Sequence, residues 1–146
     1  MRLLPILALS LLLSTPIRAD DVALIRQLAP DLKPVVISEH VAHGQGSGDD
    51  VPNAFSDREG SHQSSLGLYL TDETYEGGNG YSLKLHGLSK GFNESAMQRY
   101  IVMHGAPYVN PDAVTALGRL GRSWGCPAVR TEVAAPIIDT LKSGQF

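Results

Sequence analysis

The sequence predicts a β-rich α+β domain, a sandwich or distorted barrel with short peripheral helices. Three observations predict it. Leu66, Leu68 and Leu70 alternate with Gly67 and Tyr69, and Tyr81, Leu83 and Leu85 alternate with Ser82, Lys84 and His86, the period of two of half-buried strands. The helix signals are short and fall between or after such runs. At 146 residues the chain is long enough for one hydrophobic core but not for two.

The front of the chain reads as an address. Arg2 is followed by an apolar run from Leu3 to Leu13 and then by Ser14-Thr15-Pro16, with the small residue Ala19 placed for cleavage before Asp20. Residues 1–19 are therefore expected to be a secretory signal peptide, the run being too short to span a bilayer. Residues 20–146 are the expected domain, exported to the periplasm or secreted, without stable membrane association because no lipidatable cysteine lies near the cut. Cleavage removes Arg2 and Arg18 and leaves ten basic against fifteen acidic side chains, a net charge of −5. The acidic balance without a Lys/Arg cluster argues against nucleic acid or an anionic membrane as a partner.

Within the domain, Val22 to Leu28 is short and mixed, and Pro30-Asp31-Leu32-Lys33-Pro34 is a turn by composition. Val35-Val36-Ile37 and Val41 suit a strand that ends at His43-Gly44. Residues 44–65, rich in Gly, Ser, Asp and Asn, suit a long loop, a flap anchored by Phe55, with Asp49-Asp50 and Asp57-Arg58-Glu59 in solvent. The two alternating runs form a hairpin, with Asp72 to Gly80 as the reversal. Asn93 to Met97 suits a helical turn capped by Asn93, and Arg99 to Met103 a β-like run. Asn110-Pro111-Asp112 starts a helix over about residues 111–117 that stops at Gly118. A last helix is expected from near Pro136, burying Ile137, Ile138 and Leu141 and ending by Gly144.

Chemistry concentrates in Arg119 to Val129, which holds the single cysteine of the sequence. Cys126 stands between Gly125 and Pro127, in a tight irregular connection, with Ser123 and Trp124 as polar and aromatic walls and basic residues close by. A lone thiol in an exported chain has no internal disulfide partner, so it is either a small buried side chain or a nucleophile. As a nucleophile it needs a base. Of the five histidines, His40 and His43 form an i, i+3 pair without further metal-ligand residues at matching spacing, so no metal or other cofactor is expected. His86 shares a polar strand face with Ser82 and Lys84, and is either solvated or lines a cleft. His104 ends an apolar strand and precedes Gly105, whose carbonyl is placed to orient its imidazole. His104 is the preferred base.

Taken together, His104-Gly105, a short helix, and Ser123-Trp124-Gly125-Cys126 resemble the murein L,D-transpeptidase catalytic domain family. Val41-Ala42-His43-Gly44, Ser64-Ser65-Leu66-Gly67, Gly87 to Asn93, Ile101 to Ala106 and Gly118 to Ala128 carry the same resemblance, from about Val35 to Gly144. It implies an L,D-transpeptidase-like fold and a periplasmic cysteine peptidyltransferase acting on peptidoglycan stem peptides. By motif, Cys126 matches the nucleophile, His104 its base and Gly105 the orienting residue, while Ser123 and Gly125 match the loop that shapes the site. The N–H groups around Gly125 and Cys126 match the oxyanion hole. Trp124 stands where the wider family has histidine, and Pro127-Ala128 where it has an aliphatic-Arg pair. Trp124, Arg122, Arg130 and His86 are the substrate-binding candidates, with Arg119 a further possible source of positive charge. The rival readings are an L,D-carboxypeptidase or wall hydrolase using the same Cys-His pair, and an inactive wall-binding module.

Overall fold

The structure is a computed structural model that describes residues 37, 39–49 and 51–144. The expected signal peptide, the 22–28 pattern, the 30–34 turn and Val35-Val36 lie outside the described residues. Among those described, no helix is long and apolar enough to cross a membrane.

The compact unit that begins at His40 is organised on one mixed sheet of four strands. They are β1 (Tyr69–Gly77), β2 (Gly80–Gly87), β3 (Val102–Gly105) and β4 (Ala128–Val129), in the spatial order β1-β2-β3-β4. The first three are antiparallel neighbours, whereas β4 runs parallel to β3 with His104 facing Ala128. Among the described residues two α-helices accompany them, α1 (Pro111–Leu117) and α2 (Thr131–Leu141). This is an α+β arrangement rich in strand, as expected.

β2 shows why the alternation was legible. Leu83 and Leu85 are buried, while Lys84 and His86 on the other face are only half-covered. α2 closes over the leucines with Ala134, Ile137 and Ile138, a stripe at i, i+3 and i+4 that completes the main core with Ala96, Ile101 and Val129. A smaller cluster of Ala42, Ala106, Val109 and Ala128 packs beside β4.

Several expectations shift. The hairpin exists, but β1 begins at Tyr69 and continues to Gly77, so most of the expected reversal is strand and only Gly78-Asn79 turns. Leu66 and Leu68 lie outside it, exposed at 39% and 42%. An edge strand buries little, so Asp72, Glu73 and Glu76 sit in β1 without penalty, and a slip in register between Thr71 and Thr74 adds a bulge. α2 starts at Thr131, five residues before Pro136, which lies inside the helix and not at its start. α1 matches its expected span, its Asn110 side chain accepting from the Asp112 N–H. Asn93 is no helix cap. It is fully buried, its Oδ1 accepting from Ser89 N–H and its Nδ2 donating to the Leu68 carbonyl, within a run of turns from residue 90 to 100. Of the expected first strand, Ile37 and Val41 are described and neither is in a strand, though Ala42 bridges Ala128 and Gly44 bridges Ser123.

The 44–65 segment is irregular apart from one 3-10 turn at Gln45–Ser47. Phe55 is half-buried, but polar groups hold the segment in place. Asn53 and Ala54 N–H donate to the Ser47 carbonyl, Ser64 N–H to the Ser47 hydroxyl, and Gly46 N–H to His62 O. Asp57 is not in solvent. Its side chain is 12% exposed, accepts the Ser95 N–H at 2.7 Å and pairs with Arg99.

Candidate active site

The crossover from β3 to β4 places the cysteine. The chain leaves β3 after Gly105, runs through α1 and returns parallel to β3, so the residues just before Ala128 arrive beside the strand that carries His104. The Pro127 carbonyl meets the His104 N–H, and the N–H of Val102 hydrogen-bonds the Cys126 sulfur, whose own S–H points to the Tyr100 carbonyl at 3.6 Å. Parallel pairing thus gathers two segments twenty-odd residues apart in sequence.

His104 is buried in the sheet opposite Ser82. Its Nδ1 lies 2.9 Å from the Gly105 carbonyl oxygen. A carbonyl only accepts, so Nδ1 carries the proton and Nε2 is left as a base. The next residue must be small. A Cβ on Gly105 would stand 2.9 Å from the Ala134 methyl and 3.1 Å from Thr131 Cα, against the first turns of α2.

The loop into Cys126 is braced from inside and outside. The Ser123 hydroxyl donates to the Cys126 carbonyl at 2.6 Å and accepts the Gly125 N–H at 3.1 Å. The Ser123 backbone bonds His43 O and Gln45 N. Ser64, also buried, donates to the Gly125 carbonyl at 3.0 Å while accepting the Gly44 N–H. Gly125 has φ 122°, and a Cβ there would stand 2.8 Å from the Gln63 carbonyl oxygen, so both conformation and space demand glycine. Of the two N–H groups expected at the oxyanion hole, that of Gly125 is already committed to Ser123. Burial pushes the Cys126 thiol above its ordinary range, against the opposing pull of the Val102 N–H and the Arg99 charge. The resting sulfur is therefore a thiol.

The other candidates disperse. Trp124 is 71% exposed and stacks on His62, the rings 4.8 Å apart and nearly parallel at 8°. Arg122 folds inward, bonding the Gly48 carbonyl, with Asp49 at 4.0 Å. It lines a cleft of about 180 Å³ with His43, Asp49, Val114 and Arg119. Burial, then the Arg122 charge, lowers the His43 pKa. The Cys126 side chain does not line that cleft. Arg130 lies just past β4, at the start of α2. His86 is not gathered with the cysteine. It bonds Asp72 at 2.7 Å within the hairpin, four residues along β2 from Ser82, or about 13 Å.

Two residues that the sequence reading did not single out as site candidates lie within electrostatic reach of the sulfur. Tyr108 is half-buried, and its phenol is pushed up by burial and by the neighbouring Cys126. Arg99 carries positive charge to the same sulfur. Nothing in the local sequence marks either, because their partners come from distant segments. Among the described residues no group of three or more His, Cys, Asp or Glu side chains is placed to hold a metal ion.

A family model described as L,D-transpeptidase catalytic domain matches residues 28–146. No curated protein and no solved structure matches the chain.

Proposed function

Because the chain belongs to the L,D-transpeptidase catalytic domain family, we propose that it is an exported cysteine acyltransferase whose nucleophile is Cys126 and whose general base is His104. L,D-transpeptidase-type function and a peptidoglycan substrate follow from the family. The particular residues, the reaction and the periplasmic or secreted location are the proposal, as is a sandwich or distorted-barrel closure around the four-stranded sheet.

In the proposed reaction the Cys126 S–H gives its proton to His104 Nε2 as sulfur attacks the carbonyl carbon of the third, L-centre residue of a tetrapeptide stem. The Cys126 N–H is the proposed oxyanion donor, since the Gly125 N–H serves Ser123. Collapse breaks the C–N bond, the imidazolium protonates the leaving amine, and D-alanine departs. An amine of a second stem then takes the acyl group from the thioester and restores the thiol. Water in that role makes the protein an L,D-carboxypeptidase. Trp124, Arg122 and Arg130 are proposed to contact substrate. One observation carries the reading: the 2.9 Å contact from His104 Nδ1 to the Gly105 carbonyl, which supports a tautomer that leaves Nε2 free to accept a proton.

Mass spectrometry of the protein after incubation with a disaccharide-tetrapeptide tests it. Loss of D-alanine is expected with a thioester mass on the protein, and Cys126→Ala should lower release by about a thousandfold or more. A dimer among the products identifies a transferase, and a tripeptide a carboxypeptidase. Equal release by Cys126→Ala would refute the assignment, and binding without turnover by either protein would favour the wall-binding module.

A further inference from the structure

Arg99 is the most deeply committed charge in the described structure that the proposed reaction does not use. Its side chain is 4% exposed. Nη1 donates to the Ser56 carbonyl at 3.0 Å and to the Ser65 hydroxyl at 2.5 Å, and lies 3.4 Å from Asp57 Oδ1. Nη2 donates to the Gln63 carbonyl at 2.7 Å and approaches the Ser61 hydroxyl at 3.4 Å. All five partners belong to one irregular segment. That segment presses on the turn into the cysteine: a Cβ on Gly125 would stand 2.8 Å from Gln63 O and 3.3 Å from Arg99 Nη2. A surface lysine could hold a loop more cheaply, because burying a guanidinium costs desolvation that its partners must offset.

We propose that Arg99 is a positioning residue. Its guanidinium clamps residues 56–65 against the Gly125–Cys126 turn and keeps a fixed positive charge against that turn. A positive charge there favours the thiolate of Cys126 over its thiol. This rests on Cys126 being the nucleophile. The groups that act on the sulfur are the Val102 N–H, the Tyr100 carbonyl that accepts its S–H, the Tyr108 phenol and Arg99, and Asp57 is paired with Arg99; His104 is the proposed base. Asp57 opposes Arg99 in sign. The Ser95 N–H, the Ser65 hydroxyl and Arg99 hold the Asp57 carboxyl below its ordinary range despite its burial, so it is a carboxylate at neutral pH.

Cys126 is the only cysteine in the sequence, so the pH profile of iodoacetamide alkylation of the full chain reads this sulfur alone. Removing the positive charge in Arg99→Gln should raise the alkylation midpoint, and removing the negative charge in Asp57→Asn should lower it. Opposite signs are the signature, since mere loosening of the loop would move both variants the same way. Arg99→Lys keeps the charge but loses the fork, and should hold the midpoint within about 0.3 unit while lowering kcat about tenfold at unchanged KM. If Arg99→Gln fails to fold, Asp57→Asn decides alone: a folded variant whose midpoint rises or stays fixed overturns the proposal. Opposed shifts in a protein that releases no D-alanine would sink the proposed function and leave only the charge effect of Arg99 on Cys126 standing. D-alanine release without the opposed shifts would do the reverse.

Discussion

In the β1–β2 hairpin, backbone partners are near neighbours in sequence, from Gly77 facing Gly80 out to Tyr69 facing Gly87. In the Cys126 loop the partners come from far away. Ser123 bonds His43 and Gln45, and Ser64 reaches Gly125 across 61 positions. The hairpin's ion pair, Lys84 with Glu73, stands in water, whereas Arg99 and Asp57 are almost covered. Local pairing asks little of each side chain beyond its period, so an edge strand tolerates charge. A loop built from remote segments depends on each buried donor and acceptor being matched.

Three substitutions sharpen that contrast, and the first two should hurt far more than the third. Gly125→Ala should be the most damaging, since φ 122° and the Gln63 carbonyl at 2.8 Å both reject a Cβ; a loss of about 3 kcal/mol is expected in denaturant unfolding. Ser64→Ala removes the acceptor of the Gly44 N–H and the donor to Gly125 O in a buried place. It should cost about 2 kcal/mol by the same measurement. Glu73→Gln in the hairpin removes a solvent-exposed pair and should leave the thermal unfolding midpoint within error. A Ser64→Ala protein as stable as Glu73→Gln would break the contrast and show that the loop holds its shape by local means.

Legibility follows the same division. The β2 leucines, α1 with Asn110 and Gly118, and the motif ending in Cys126 were readable because their signals sit within a few residues. The start of α2 was not, because Pro136 resembles a first-turn proline when the packing of Ala134 on Leu83 and Leu85 cannot be seen. Asp57 looked solvated for a similar reason. In sequence it is one of three consecutive charges, and only the fold brings Ser95 and Arg99 to it. His86 was weighed as a candidate on its polar strand face, a property it shares with many surface residues.

By itself the sequence determined the strand-rich class, the hairpin, the Cys126 motif and the family, since periodicity, caps and motif order are properties of neighbouring residues. The tertiary structure decided that His104 lies beside the cysteine segment and that Arg99 is buried next to Gly125. Those depend on parallel pairing of β3 with β4 and on the 56–65 segment closing over the turn. Such contacts join residues tens of positions apart, and no local pattern encodes them.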